Sequence, residues 1–223
     1  MKLSDIQSYS SPDVNVQRLC HDSVICYRPQ HWNDLTMCFD RNPPVNDSTV
    51  LCCAAAFTHD YLNTFTHDNV EGVHYSHGVR YEGFEKKINS GMFLYYKDRH
   101  FAFRNKSQVT SRDLQGVWTA FQQNLIILDH KVQSLRAFTS DNVKARFRAL
   151  CCIDGALCVI EGADQMNYSQ FIDALRHCGA QHAIYMDNGG GWDALWLRTA
   201  GGKLAGYGIN NHPNNTNWLM FKL

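Results

Sequence analysis

The sequence predicts an α+β fold, a mostly antiparallel β-sheet with a few short helices. Three observations carry that reading: apolar residues recur with period two or in short unbroken runs, tight-turn signals separate those runs, and helical spacing is confined to short stretches. In chain order, Gly91-Met-Phe-Leu-Tyr-Tyr96, the turn Lys97-Asp98-Arg99 and His100-Phe-Ala-Phe103 form one expected hairpin. A second helix is expected around Ser111 to Gln122. Phe147 to Ile153, the Asp154-Gly155 turn and Ala156 to Glu161 form the stronger hairpin, because Asp-Gly readily takes the positive φ angles of a two-residue turn. Tyr168 to Cys178 puts Phe171, Leu175 and Cys178 on one helical face, with Gly179 as the stop. Ala183 to Met186 is a short buried strand, and after the polar stretch Asn210 to Asn217 the segment Trp218 to Phe221 closes as another.

At 223 residues the chain suits a single domain, 1–223, with a substantial core. Lys plus Arg and Asp plus Glu both number 21, so the balance of charge offers nothing to nucleic acid or an anionic membrane. No window has the apolar length of a membrane span, and the first residues lack the hydrophobic segment of a secretory signal. As written the chain is expected to be cytoplasmic, or exported if a leader has been removed. Nine cysteines occur without any CxxC pair, which argues against a zinc ribbon. Cys52-Cys53 and Cys151-Cys152 lie in apolar runs and are expected to be reduced, buried thiols.

The stretch from Gly179 to Trp192 drives an apolar strand into Asp187, Asn188 and the glycines Gly189, Gly190 and Gly191. Without Cβ atoms those glycines let a ligand approach the main chain, so a carboxylate beside them is a candidate site. Arg146 and Arg148 alternate with Phe147 and Ala149 and share one sheet face. A guanidinium fork directed inward needs an anion, either a phosphate or a structural acid such as Asp187. His59, His67, His74 and His77 fall within nineteen residues, among Asp60, Asp68, Asn69 and Glu71. Their spacing fits no zinc signature, so a polar loop lining a cleft is the favoured reading over a metal site. Trp192, Trp196 and Tyr207 offer aromatic faces for a sugar, or simply core.

The ordered series of Arg148-Ala-Leu-Cys-Cys-Ile153, the Asp-Gly turn, a short helix ending in Gly179-Ala180 and Met186-Asp187-Asn188-Gly-Gly-Gly-Trp192 resembles the phosphodiester glycosidase family, in a bacterial branch of it. Upstream, Ala54-Ala-Ala-Phe-Thr58 stands where the family has an Asn-Gly-Gly-Phe-type segment, and Asn89-Ser-Gly-Met-Phe93 precedes the first hairpin. The likeness runs from about residue 54 to the C-terminus, leaving 1–53 as an N-terminal extension packed on it. Asn188 stands where the family carries Gly, and Trp192 where it carries Ser.

The resemblance implies cleavage of a sugar-1-phosphodiester to free sugar and phosphate monoester, with a small-molecule or glycan substrate; no cofactor is expected, and no metal, since the histidine spacing fits no ligand pattern and phosphate is already a good leaving group. Asp187 is then the carboxylate facing the anomeric carbon. Arg148 and the N–H groups of Gly189 to Gly191 hold the phosphate. His67, His74 or His77 could protonate the leaving group, with Glu82 as a fallback. Asn89, Asn188, Trp192 and Glu82 complete the expected substrate contacts. Two alternatives stay open: a non-catalytic glycan or sugar-phosphate binding module of the same fold, and a metal-dependent phosphodiesterase using the His59 to His77 cluster.

Overall fold

In a computed structural model, the protein is described over residues 9–10, 12–21, 23–58, 66–84, 90–133, 142–188, 194–208 and 216–223. Three antiparallel sheets organise these residues. The eight-stranded sheet runs Tyr9–Ser10, Val14–Leu19, Val24–Pro29, Ala156–Gly162, Arg148–Ile153, His182–Met186, Leu125–Leu128 and Lys131–Val132. A five-stranded sheet runs Val79–Tyr81, His74–Ser76, Val117–Gln123, Gly91–Tyr96 and Phe101–Asn105. The other five-stranded sheet runs Leu204–Tyr207, Leu195–Arg198, Thr49–Ala54, Asn217–Lys222 and Asp34–Phe39. Strands that precede residue 54 are thus hydrogen-bonded members of two sheets, and Val24–Pro29 pairs directly with Ala156–Gly162.

The large sheet is covered on both faces, which is why its central strands are almost continuously apolar. In Arg148–Ile153, Leu150 and Cys152 turn toward the main core with Val159, Ile184 and Met186, where Leu51, Leu195 and Leu219 of the facing sheet meet them. The alternate residues Ala149, Cys151 and Ile153 pack beneath the helix Tyr168–His177 through Phe171, Ala174 and Leu175. Asn167 caps that helix in a reciprocal box with Gln170, and Gly179 leaves it at φ +78°. Burying Phe171 and Leu175 contributes about 1.5–3 kcal/mol each, more than the propensity of so short a helix supplies.

Among the described residues Tyr168–His177 is the one α-helix, beside the single 3₁₀ turns His67–Asn69 and Lys106–Gln108, so the fold is more nearly all-β than the sequence predicts. The segment expected as a second helix is instead a turn followed by the strand Val117–Gln123. Gly116 at φ +72° ends the turn, and Val117, Trp118, Thr119 and Phe121 are residue types that suit a pleated surface. Pairing of this strand with Gly91–Tyr96 and His74–Ser76 overrides any helical spacing. No helix among the described residues is long and apolar enough to cross a membrane.

Candidate active site

Three neighbouring strands of the large sheet end together at one edge. Arg148 opens its strand, opposite both Glu161 near the end of Ala156–Gly162 and Met186 at the end of His182–Met186. Arg148 and Glu161 are fully buried. Nε and Nη2 of Arg148 donate to Glu161 Oε2 at 3.1 and 2.9 Å, and Arg146 Nη2 donates to the other oxygen, Oε1. Two guanidinium groups therefore share one carboxylate. A charged pair this deep survives only with such hydrogen-bonded compensation, because each ion alone would cost several kcal/mol to desolvate. Of the partners the sequence left open for the guanidinium, a phosphate or a structural acid such as Asp187, the described residues supply a structural acid, and it is Glu161.

Asp187 meets Arg148 through its main chain. Arg148 Nη1 donates to the Asp187 carbonyl at 3.4 Å, and the Asp187 N–H donates to the Ala55 carbonyl at 2.9 Å. The next residue, Ala56, is gripped at both its N–H and its carbonyl by the Asn217 side chain, at 2.8 and 2.9 Å. The Ala54-Ala-Ala-Phe segment and the Asp187 strand end, far apart in sequence, are thus bound to each other. Beside them burial pushes the Cys53 thiol up to about 11, against the opposing pull of the Arg148 charge. Burial likewise raises Tyr185 well above the ordinary phenol value, and the neighbouring Asp187 charge adds to it. Asn188 is 2% exposed, and both polar atoms of its amide lack a hydrogen-bond partner among the described residues.

The histidines divide. His67, His74, Tyr81 and Phe39 form one aromatic stack: the rings of His67 and Tyr81 lie parallel with centroids 3.3 Å apart, and Phe39 sits 4.0 Å from His67. His74 is fully buried, bonded from Nδ1 to the Gly72 carbonyl at 2.9 Å, with Nε2 unpartnered among the described residues. Burial drives its pKa down to about 4, and burial lowers His67 as well. The His67 and His74 rings are near parallel with centroids 5.7 Å apart, so their in-plane lone pairs run side by side instead of converging on an ion. His77 is exposed on a different face, with its ring against Thr36, Ser76 and the edge of Trp118. Glu82 is exposed and paired with Arg80.

The stack and the charged centre flank the same segment. Phe39 pairs with Asn217 across the sheet, Asn217 holds Ala56, and Phe57 reaches both Tyr185, at 5.4 Å between ring centroids, and the Glu71 N–H, at 2.8 Å. Buried Asn69 ends the 3₁₀ turn that begins with His67, and the buried Gln122 side chain lies against Gly72. Gly72, at φ +81°, must be glycine there, because a Cβ would fall 2.8 Å from that of Gln122. The structure therefore brings Arg148, Asp187 and Asn188 together, sets His67 and His74 one segment away, and separates His77 and Glu82. His59, Asn89, Gly189, Gly190, Gly191 and Trp192 lie outside the described residues.

Glu161 and Asn217 escaped the sequence reading. For Glu161 the signal exists: six residues outward from each side of the Asp154-Gly155 turn, Arg148 faces Glu161. Asn217 ends the polar run just before Trp218, an Asn-Trp pair that belongs to the family likeness but carried no functional role there.

No protein-family model matches this chain, and no curated protein does. Among solved structures, the chain is similar to the catalytic domain of zebrafish N-acetylglucosamine-1-phosphodiester alpha-N-acetylglucosaminidase, auto-inhibited by its pro-peptide. The TM-score is 0.63 at 13% identity, over 98% of this chain and 86% of that one. It is also similar to a hypothetical protein from Synechocystis, with a TM-score of 0.53 at 11% identity, over 96% of this chain and 64% of that one. At such identities both likenesses concern the fold.

Proposed function

We propose that this protein hydrolyses a sugar-1-phosphodiester, releasing the free sugar and a phosphate monoester, with Asp187 as the carboxylate at the anomeric carbon. The observation that carries this reading is the Arg148–Glu161 pair braced against the Asp187 main chain, in a fold shared with a phosphodiester glycosidase. Pinned at its carbonyl by Arg148 and at its N–H by Ala55, Asp187 is set on rigid strand ends, as a group that must meet a reacting carbon requires.

In the reaction the C1–O bond breaks and the phosphate monoester departs with the bonding electrons. Water supplies the new hydroxyl at C1, and the carboxylate stabilises the developing oxocarbenium charge or accepts the water proton. Arg148 acts from behind as the positioning residue, because its fork is engaged by Glu161. Arg146, with 23% of its side chain exposed, is the guanidinium nearer to solvent and to a phosphate. The N–H groups of Gly189 to Gly191 would complete the phosphate cradle. Asn188 presents amide donors and an acceptor to sugar hydroxyls. His74, neutral down to about pH 4, is a poor proton donor at ordinary pH. A phosphate leaves without one.

The test is direct incubation of the purified protein with an N-acetylglucosamine-1-phosphodiester, following release of reducing sugar. Turnover supports the reading. Calorimetric binding without turnover would assign the non-catalytic module instead, and neither binding nor turnover across a panel of sugar-1-phosphodiesters would remove both.

A further inference from the structure

Nine cysteines are free thiols, and the three that are only partly buried are Cys20, Cys38 and Cys178. Cys38 Sγ contacts the Met220 thioether at 3.2 Å. The other two face each other across 158 residues of chain, Sγ to Sγ at 2.9 Å. They come from different elements. Cys20 lies in the turn between Val14–Leu19 and Val24–Pro29, and its carbonyl is held by the Ser23 N–H and hydroxyl at 3.2 and 2.7 Å. Cys178 caps the C-terminus of Tyr168–His177, donating its N–H to the Ala174 carbonyl, and the Cys20 thiol donates to that same carbonyl at 3.3 Å. Both sulfurs are therefore positioned by rigid main chain, and they need close by only about 0.9 Å to reach covalent separation. A cavity of 1050 Å³ lined by Cys20, His21, Ala174 and His177 gives a small oxidant access.

We propose that Cys20 and Cys178 are an oxidation site, at which an intramolecular disulfide fastens the N-terminal hairpin to the helix. With a peroxide as oxidant, the Cys20 thiol becomes a sulfenic acid and one water leaves. The Cys178 sulfur then displaces the sulfenic hydroxyl, and a second water carries off the remaining oxygen. Two thiols thus give up two electrons and two protons to one peroxide. Cys26, Cys151 and Cys158 are fully packed beneath the helix and stay reduced. The bond would close a long loop through the strand Val24–Pro29, which pairs with the strand carrying Glu161.

The full chain, reduced and then exposed to a small excess of hydrogen peroxide, is alkylated and its thiols counted after denaturation. The expected result is two thiols fewer than the original nine and a non-reduced peptide joining Cys20 to Cys178. The melting temperature should rise by on the order of 5–15 °C and fall back on adding dithiothreitol. Cys20→Ser should lose both the cross-link and the rise. Nine remaining thiols, or a cross-link between other cysteines, would overturn the proposal, and the peptide map of the unsubstituted chain decides the matter even if the variant fails to fold.

Discussion

The charged centre at Arg148 and the aromatic stack at His74 are both polar and both buried, yet they are compensated in opposite ways. Glu161 answers Arg146 and Arg148 with charge-assisted hydrogen bonds, so the charged forms persist in the interior. His74 meets Phe39, Tyr81 and His67 and one carbonyl, so burial removes its charge and leaves a neutral ring in a wall. The difference teaches that burial alone does not mark a working group; the partner decides whether burial preserves charge or extinguishes it. At Asn188, as at Nε2 of His74, no hydrogen-bond partner is present among the described residues.

Removing the partner at the charged centre should have the largest effect. Glu161→Ala leaves two guanidinium groups without their carboxylate and should cost about 3–5 kcal/mol, read as the shift of a denaturant midpoint. Replacing Arg148 and Glu161 together by Met and Leu should restore much of that stability without restoring turnover. A double variant that is both stable and active would erase the functional half of the contrast.

At the stack, the effect should appear in pH. The His74 pKa of about 4 in the folded protein lies below the ordinary 6.5, so the unfolded chain takes up the proton first as pH falls. The contribution to stability is full above about pH 6.5 and is lost progressively toward pH 4, amounting to roughly 3 kcal/mol. His74→Phe should flatten the difference in this window relative to the unsubstituted chain. Identical pH profiles for the two proteins would show that His74 is not held neutral by burial.

The smallest change in stability is expected at Asn188. Since neither amide atom has a described partner, Asn188→Ala should alter stability by less than about 1 kcal/mol while weakening substrate binding about tenfold. A large stability loss with unchanged KM would make Asn188 structural and align it with the stack.

The hairpin around Asp154-Gly155 and the helix between Asn167 and Gly179 were legible in the sequence because local turn and cap chemistry agrees with the tertiary packing there. Val117–Gln123 was not, because its pairing partners lie outside the local window and its residues tolerate either spacing. The elements of the candidate site differ in how far they can be read from the sequence. Asp187 and Arg148 stand out as polar residues bounding apolar runs, whereas Glu161 hides at the end of one and emerges only when the hairpin register is followed outward. The histidines showed a cluster in sequence, but ring stacking, which separates His67 and His74 from His77, leaves no trace in residue spacing.

The most direct measurement compares Asp187→Asn with the unsubstituted protein on a sugar-1-phosphodiester, with melting curves recorded on the same preparations. The change nearly conserves shape, and the Asp187 main chain, which makes the contacts to Arg148 and Ala55, is untouched. The account predicts a loss of turnover on the order of 10³-fold with a melting temperature shifted by no more than a few degrees. Turnover retained within a few-fold, in a protein that melts normally, would contradict it.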